Sequence, residues 1–228
     1  MTIRALAIET SGRIGSVALA EDGKTLLDET FPHGLQHAAR IVPALDHLCK
    51  QLKWTSSDIK EIYVSAGPGS FTGLRIGITL AKTLALVTGA ALVAVPSVSV
   101  LAENAPPGAK NIVIVLDAKR DQVFTASFVR TGQEWIPVEP AQLSSLAEIL
   151  SKTPRPVHLI GEGIPYHRKF IPAGDAEIHI ADEPLWRARA SAVATLGWRM
   201  ARAGQFTDAM SLCPIYIRRP EAEEKLDP

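Results

Sequence analysis

The clearest place for chemistry in the sequence is a glycine-rich segment, residues 67–73 (GPGSFTG). It lies between an apolar run and the start of a long helical pattern, where unpaired backbone N–H groups can hold an anion. The segment lacks the GxxxxGK[ST] order of a P-loop, and Pro68 removes one N–H donor. The sequence therefore favours a rigid turn in which Ser70 or Thr72 caps the helix, with phosphate binding as the less favoured alternative.

Two acidic residues stand at the ends of similar apolar runs, Glu9 in the first part of the chain and Asp117 in the second. Two-lobed ATPases reach phosphate and magnesium across a cleft from acidic residues placed in this way. No glycine follows either acid directly, so the backbone cannot approach a phosphate as closely, and tight nucleotide binding by this chain is not expected. Gly161 and Gly163 follow a later apolar run and would pass close to a nucleotide or a partner, or form a plain turn. The candidate nucleotide-proximal residues are Glu9, Thr10, Ser11, Asp117, Gly161 and Gly163.

The histidines and cysteines do not form a recognisable metal or catalytic set. His33 and His37 have the spacing of two ligands on one helix face, but no third ligand is near in sequence and Gly34 weakens the helix start. Cys49 and Cys213 are far apart without CxxC spacing, which argues against a zinc site or a disulfide framework. A GxSxG nucleophile elbow is also missing from the sequence. We therefore predict no catalytic residue and no metal ligand.

Two sets of three short apolar runs must position these residues, and the second set repeats the first. The runs cover residues 3–8, 14–19 and 25–30, and then 112–116, 122–129 and 134–138. Turn residues separate the runs, which is the pattern of an antiparallel three-strand meander. An offset of 108 residues relates Glu9 to Asp117 and also brings Ser16 onto Phe124. We interpret the two sets as an internal repeat, with chance similarity of two meanders as the alternative.

Helical patterns alternate with further apolar runs after each meander, so the sequence predicts an α/β fold with two related lobes, each a mixed sheet with packed helices. The helical patterns cover residues 35–52, 72–88, 143–150 and 165–170, and the apolar runs cover residues 62–66 and 157–160. A Pro-Pro-Gly segment at residues 106–108 marks a linker, which gives an N-terminal lobe of residues 1–102 and a C-terminal lobe of residues 103–228. The second lobe includes a helix over residues 189–203, whose apolar side is suited to close back on the first lobe.

Two helices of the first lobe carry more apolar surface than one sheet needs. The first has apolar residues at the 3, 4 spacing of a helix that packs lengthwise on another helix, and the second repeats that spacing and adds a stripe of small residues. Ile76, Leu80, Leu84 and Val87 are apolar on other sides of the second helix, so it must be covered on more than one face. Either the two helices cover each other and their own sheet, or they meet another chain. The candidate interface residues are Leu35, Ala38, Val42, Leu45, Phe71, Gly73, Leu74, Gly77, Ile78, Ala81 and Ala85.

The charge balance argues against nucleic-acid binding by this chain without help. Lys plus Arg and Asp plus Glu each number 24, whereas neutralising phosphates requires a basic excess. We interpret the pairs Lys119-Arg120 and Arg218-Arg219 as solvated surface. If RNA is involved, a partner must supply most of the contact.

The composition, 46% hydrophobic and 21% charged over 228 residues, predicts an ordinary folded protein. No secretory signal opens the sequence, so a soluble, cytoplasmic protein is expected. Residues 76–95 resemble a membrane span in composition, but Lys82, Gly89 and Pro96 interrupt or bound the stretch. We interpret it as a buried helix followed by a strand.

The sequence resembles the bacterial TsaB (YeaZ-type) family of tRNA threonylcarbamoyladenosine biosynthesis proteins over nearly its whole length. Five segments carry the resemblance: AIETSG, HGLQHAARIVPALDHL, GPGSFTGLRIGITLAKTLAL, LDAKRDQVFTASF and PIYIRR. The most specific is GPGSFTGLRIG, residues 67–77. The departure is small, since Glu9 stands where the family leads us to expect Asp.

The resemblance implies the actin-like ATPase fold and a scaffold subunit that is not an enzyme by itself. It implies direct pairing with the paralogue TsaD, which transfers a threonylcarbamoyl group to adenosine 37 of ANN-decoding tRNAs, together with the small ATPase TsaE. It further implies a homodimer when the partner is missing, contact with tRNA only through the complex, and no membrane association. The isolated subunit would hold no cofactor tightly, and ATP, ADP and metal would be bound by the partner subunits.

Two enzyme classes of the same superfold compete with this interpretation, a small-molecule kinase and a metallopeptidase. The missing phosphate glycines argue against the kinase. The resemblance places Ser97 and Leu101 where the catalytic paralogue has the two histidines of its HxxxH metal pair, which argues against the peptidase.

Overall fold

The structure is a computed structural model, and it describes residues 2–31 and 36–218. The chain divides into two compact units. The first comprises the described residues up to Val100 together with Ala188–Ile215, and the second comprises Leu101–Arg187 and the described residues from Tyr216 onward.

Strands and helices alternate in both units. The strands are β1 (Arg4–Glu9), β2 (Gly15–Glu21), β3 (Lys24–Phe31), β4 (Glu61–Gly67), β5 (Ala91–Pro96), β6 (Asn111–Asp117), β7 (Val123–Thr131), β8 (Glu134–Pro137), β9 (Gln142–Ser144), β10 (Val157–Ile160) and β11 (Ile178–Ile180). The α-helices are α1 (Gln36–Leu52), α2 (Phe71–Thr88), α3 (Ser97–Ala102), α4 (Leu146–Lys152), α5 (Ile164–His167) and α6 (Ala190–Arg202). Short 3₁₀ turns lie at Ser56–Asp58, Arg168–Phe170 and Glu183–Trp186.

The two sheets share one plan. The first has the order β3-β2-β1-β4-β5, with an antiparallel meander and parallel β1, β4 and β5. The second has the order β11-β10-β6-β7-β8, with β9 added beside β7. The meanders do repeat, but Glu9 pairs with Ser16 whereas Asp117 pairs with Val123, one residue before Phe124. The α/β prediction is therefore confirmed, while the offset of 108 is one residue out of register at this pair.

The central strand β1 is buried on both faces, which is why it reads as a continuous apolar run. Leu6 and Ile8 point into a core that α1 and α2 cover. Ala5 and Ala7 point into a second core that α6 covers. Small side chains on this second face let α6 approach closely, and Gly197 of α6 lies against the Tyr63 ring.

The position of α6 corrects the predicted domain boundary. Residues 103–228 were expected to form the second lobe, but Ala188–Ile215 belongs to the first unit. The reason is that the buried side of α6 covers the second face of the first sheet. The predicted linker also lies within the second unit, where the Asn104 side chain donates hydrogen bonds to the carbonyls of Leu185 and Arg187 at 3.1 and 2.6 Å.

The second unit has a core between its sheet, α4 and α5. The helix predicted over residues 143–150 begins later, at Leu146, because Gln142–Ser144 pairs with β7 as a strand. The helix predicted over residues 165–170 is the short α5 followed by a 3₁₀ turn.

Among the described residues, α2 is the one helix long and apolar enough to cross a membrane by length and composition. In this structure Leu74 and Ile78 of α2 are buried in the first unit. The Lys82 ammonium donates hydrogen bonds to the carbonyls of Met210 and Leu212. The stretch 76–95 is thus a packed helix followed by β5.

Candidate functional site

The glycine-rich segment connects β4 to α2 as a turn held by the protein's own atoms. The Ser70 hydroxyl accepts a hydrogen bond from the Gly73 N–H at 3.3 Å and so caps α2. The Ser70 N–H donates to the Ser11 carbonyl at 2.7 Å, and the Gly67 N–H donates to the Ser97 hydroxyl at 3.1 Å. Because these N–H groups have partners within the unit, the geometry supports the rigid turn over a phosphate loop.

Glu9, at the end of β1, is fully buried. Its Oε1 accepts hydrogen bonds from the N–H and the hydroxyl of Ser11 at 2.5 and 2.6 Å, while its Oε2 has no hydrogen-bond partner among residues 2–31 and 36–218. Burial raises the pKa of the Glu9 carboxyl, and the hydrogen bonds from Ser11 oppose that rise only in part. Thr10 is also fully buried and Ser11 nearly so. The first three candidate nucleotide-proximal residues therefore present little surface to a ligand within this unit.

Asp117, at the end of β6, is more accessible than Glu9 and is surrounded by hydrogen-bond donors. Its Oδ1 lies 3.1 Å from His167 Nε2, and its Oδ2 accepts from Lys119 Nζ at 2.8 Å. Burial works against ionisation, but the hydrogen bonds from Lys119 and His167 outweigh it and hold the pKa of Asp117 below its usual range. Asp117 is thus an ionised carboxylate in a basic setting.

Gly161 and Gly163 lie beside Asp117, another of the candidate nucleotide-proximal residues. A β-carbon at Gly161 would collide with the Val115 carbonyl, and one at Gly163 would lie 2.6 Å from the Asp117 nitrogen. The Gly163 N–H donates to that same Val115 carbonyl at 2.9 Å. Both glycines therefore allow the chain to pack on the end of β6. The buried His167 completes this cluster, and no sequence spacing could have linked it to an acid 50 residues earlier.

Within residues 2–31 and 36–218, no three His, Cys, Asp or Glu residues come together in a way that could hold a metal ion. His33 lies outside the described residues, so the predicted pair with His37 is not part of the described structure. Cys49 is half-buried and Cys213 exposed, both as thiols. Burial, followed by the charges of Asp46 and Asp58, raises the pKa of Cys49 and keeps it protonated at neutral pH.

The small-residue stripe of α2 faces the protein's own sheet. Gly73, Leu74, Gly77, Ile78, Ala81 and Ala85 are all buried. A β-carbon at Gly73 would collide with the Thr10 carbonyl, and one at Gly77 would collide with the Thr10 hydroxyl. The interface prediction for these six residues is wrong, because the stripe allows α2 to approach the end of β1 and is not available to a partner.

Other predicted interface residues remain accessible. Ala38 and Val42 of α1 are exposed, Val42 to 53%, while Leu45 and Phe71 are half-buried. Leu35 lies outside the described residues. The Arg75 guanidinium lies 3.8 Å from the centroid of the Phe71 ring and covers part of it.

A second apolar row on α2 lies outward from the sheet, next to α1. Ile76, Leu80 and Leu84 are half-buried at the edge of the core, and Val87 is 79% exposed. These positions share one side of the helix at the 4, 4, 3 spacing. We call the surface formed by this row and by the accessible α1 residues Ala38, Val42 and Leu45 the α1–α2 face.

A cavity of about 280 Å³ opens on this face. Val42, Leu45 and Cys49 of α1 form one wall, and Leu84 and Thr88 of α2 form another. The lining is mostly apolar. The α1–α2 face thus combines protruding apolar side chains with a recess that a partner's side chain can fill.

Comparison with known proteins decides the family. The family model for TsaD, tRNA N6-adenosine threonylcarbamoyltransferase, matches residues 34–225. The tRNA threonylcarbamoyladenosine biosynthesis protein TsaB of Bacillus subtilis is 32% identical over 229 residues, covering 99% of this chain and 97% of that protein. The chain belongs to the TsaB family. TsaB of Escherichia coli is 34% identical over 131 residues, or 56% of each chain.

Solved structures confirm the fold expected of a TsaB-type chain. The structure of YeaZ from Pseudomonas aeruginosa superposes with a TM-score of 0.80 at 24% identity, over 94% of this chain and 99% of that one. A second Pseudomonas aeruginosa protein, described as similar to peptidase YeaZ, gives a TM-score of 0.83 at 23% identity, over 95% and 100%. These likenesses support the predicted actin-like ATPase type of two α/β units.

The two positions that the resemblance matches to the paralogue's histidines are structural in this TsaB-family chain. The Ser97 hydroxyl is buried and lies 2.7 Å from the Ser65 hydroxyl. Leu101 is a buried core residue. Neither side chain supplies an imidazole for a metal ion.

Proposed function

We propose that this chain is a TsaB subunit of the cytoplasmic assembly that forms N6-threonylcarbamoyladenosine at position 37 of ANN-decoding tRNAs. In that assembly it contacts TsaD directly and supports the catalytic subunit, with TsaE as a third member. The full-length similarity to a protein named for this biosynthesis supports the proposal. The match of most of the chain to the TsaD family model supports a paralogous pair.

The observation that carries the partnership is the α1–α2 face. Val42 on α1, which lines the apolar cavity, and Val87 on α2 are both exposed apolar side chains. Burying such surface against a partner is worth about 25 cal/mol for each Å². The row Ile76, Leu80 and Leu84 extends the same surface along α2. TsaD would cover this face, and a second copy of the chain would cover it when TsaD is missing.

The subunit is proposed to work without catalytic chemistry of its own. The Glu9 carboxyl is enclosed within its unit, and the Asp117 carboxylate is engaged by Lys119 and His167. Ser97 and Leu101 stand in place of metal-binding histidines. ATP, ADP and any metal would then be bound by TsaD and TsaE, and tRNA would be engaged by the complex. The kinase and metallopeptidase alternatives lack a comparable observation in their favour.

The substitution Val87→Arg tests the partnership. Arginine is favourable in the last turn of a helix, so the subunit should stay folded while the apolar face gains a charge. We expect co-purification with the cognate TsaD to fall at least tenfold. The matched control is Val138→Arg, a valine exposed to 58% in the second unit, which should bind normally.

Val42→Arg provides an independent test from α1, the other helix of the face. If folded Val87→Arg and Val42→Arg both co-purify with TsaD as the control does, the α1–α2 face is not the contact. If the unsubstituted chain fails to join TsaD, the proposed function itself is wrong.

A further inference from the structure

The end of α1 turns Trp54 back toward the helix. Lys53 has a left-handed backbone, with a φ angle of 56°, and its N–H donates to the Lys50 carbonyl at 3.2 Å. The Trp54 N–H donates to the Cys49 carbonyl at 2.9 Å. These are the two hydrogen bonds of a Schellman motif, which brings the residue after the turn against the last turn of the helix. Trp54 and Cys49 accordingly line the same cavity, the one that opens on the α1–α2 face.

The Trp54 side chain is held in place from outside the cavity. It is only 8% exposed, and the Arg4 guanidinium lies 4.8 Å from its ring centroid. Arg4 is itself fixed by ion pairs with Glu21 and Asp58 at 3.1 and 3.0 Å. Turning the ring inward to fill the space would break its contact with Arg4, so Trp54 forms a fixed wall of the cavity.

The cavity is large enough for a small molecule. It measures about 280 Å³ and extends from the half-buried Cys49 and Leu84 to the core residues Leu6 and Ile62. An engineered apolar cavity of about 150 Å³ takes up benzene. The present cavity has roughly twice that volume and lies just below the usual range of small-molecule sites, so it suits a ligand of one or two fused rings.

The polar groups of the cavity favour an uncharged ligand with a hydrogen-bond donor. Among the described residues that line it there is no Lys, Arg or His, whereas Asp46 does line it. The hydroxyls of Thr55 and Thr88 already donate to Asp58 and to a helix carbonyl, at 2.7 and 2.8 Å. Lys50 Nζ donates to one oxygen of Asp46 at 2.6 Å, and a carboxylate accepts several hydrogen bonds. A ligand donor can therefore use Asp46, while an anion would be buried without a partner.

We propose that this cavity is a binding site for a small uncharged aromatic molecule that carries one hydrogen-bond donor. The ring of the ligand would pack against the Trp54 ring and the aliphatic side chains of both helices, and its donor would reach the Asp46 carboxylate. Because the mouth of the cavity lies on the α1–α2 face, the ligand and TsaD compete for the chain. This competition rests on the proposed function, whereas binding to the isolated chain does not.

Indole is the probe, since it is an uncharged pair of fused rings with one N–H donor. Titration of indole into the isolated, isotopically labelled chain, followed by NMR, should shift the side-chain N–H resonance of Trp54 along a saturation curve. We expect a dissociation constant below about 1 mM for a ligand of this size. The corresponding resonance of Trp135, on β8 in the second unit, should not move. A Trp54 resonance that stays in place up to the solubility limit of indole overturns the inference.

Variants that fill the cavity connect the probe to this site. Cys49→Leu fills it from α1 and should weaken indole binding at least about tenfold in a folded chain, because the added side chain occupies the space of the ring. Leu45→Phe fills it from one turn earlier and decides the question if Cys49→Leu does not fold. The control Cys213→Leu changes an exposed cysteine outside the cavity and should bind normally.

Cys49→Ala keeps the cavity open and should also bind indole normally. If Cys49→Ala loses binding as fully as Cys49→Leu does, the thiol and not the cavity holds the probe, and the inference is wrong. It is equally wrong if the folded filling variants bind indole as the Cys213→Leu control does, because indole then binds elsewhere.

Equilibrium dialysis of radiolabelled indole against the complex with cognate TsaD tests the competition. The affinity for indole should fall at least about fivefold relative to the isolated chain. If the complex binds indole as well as the isolated chain does, TsaD leaves the cavity open and the competition is wrong. If the chain does not join TsaD, the proposed function fails, and the titration of the isolated chain alone decides whether the cavity is a ligand site.

Discussion

Gly77 of α2 packs against Thr10, the residue that follows β1. A β-carbon at position 77 would collide with the Thr10 hydroxyl and lie 3.3 Å from Cγ2 of Ile8. Both neighbours are fully buried, so neither has room to withdraw. The contact shows that α2 is seated on the sheet through its glycines.

Gly77→Leu is therefore expected to destabilise the isolated subunit by about 3 kcal/mol, as overpacking of a close helix-to-strand contact does. Urea denaturation followed by circular dichroism measures the free energy of unfolding. Thr79→Leu, at an exposed position of the same helix, is the control and should change it by less than about 0.5 kcal/mol. A Gly77→Leu protein as stable as this control would show that α2 does not pack as described.

Glu9→Gln should change how stability depends on pH. The folded-state pKa of Glu9 is raised above its ordinary value of 4.5, so its folded form binds a proton more tightly than the unfolded form. The contribution of Glu9 to the free energy of unfolding is fully present below pH 4.5 and is lost as the pH rises through the raised pKa. Each tenfold difference in proton affinity between the folded and unfolded forms corresponds to about 1.4 kcal/mol.

The neutral amide avoids this loss, so the stability of Glu9→Gln relative to the unsubstituted protein should increase between pH 5 and pH 8. Urea unfolding at intervals across that range measures the difference. Parallel stability curves for the two proteins would mean that Glu9 is not held in its protonated form by burial.

The sequence predicts the strands and helices of the fold better than it predicts which surfaces pack against each other. Continuous apolar runs such as β1 predict a sheet covered on both faces, and both meanders are present. A stripe of small residues on α2 indicates close approach, but the spacing is the same whether the neighbour is the protein's own strand or another chain. Whether Gly77 faces the protein's own sheet or another chain could therefore not be predicted. For the row ending at Val87, the sequence predicts an apolar surface that must be covered but does not show what covers it.

The candidate polar sites were partly predictable for a similar reason. Glu9 and Asp117 were located by their positions at strand ends, and Gly161 and Gly163 do lie beside Asp117. His167 was missed because its contact with Asp117 joins residues without any shared periodicity. The opposite protonation tendencies of the two acids depend on burial, which spacing does not encode.

Arg202→Met should destabilise the first unit by about 2 kcal/mol. The buried carboxylate of Glu61 on β4 accepts hydrogen bonds from the Arg202 guanidinium on α6 and from the Tyr63 hydroxyl. Removing the cation leaves a buried charge without compensation, although the partial exposure of Arg202 limits the loss. A double-mutant cycle with Glu61→Gln, measured by urea denaturation, should show positive coupling; additive effects would mean that the pair does not act as a unit.

The isolated chain should self-associate through the α1–α2 face. Hiding Val42 and Val87 from water favours a two-fold dimer in which the same face meets itself. Sedimentation velocity over a range of concentrations should show a dimer that Val87→Arg converts to a monomer. A strictly monomeric parent protein at high concentration would contradict this expectation.

We expect the isolated chain to have no enzymatic activity, so neither Glu9→Ala nor Asp117→Ala should change its activity. Glu9 is enclosed in its unit and Asp117 is engaged by Lys119 and His167, so neither is arranged to activate a substrate. Steady-state ATP hydrolysis by the purified chain should stay at the background of a mock preparation. Turnover above background that either substitution abolishes would place chemistry in this subunit.

The return of α6 to the first sheet has a consequence during synthesis. The apolar face formed by Ala5, Ala7 and Tyr63 is translated early, whereas the helix that covers it begins at Ala190. At about 5 to 20 residues per second, roughly 5 to 20 seconds pass between synthesis of the last strand of this face and synthesis of α6. A nascent chain arrested before α6 would thus expose a bare sheet to chaperones and proteases, and the first unit can fold fully only after most of the second has been made.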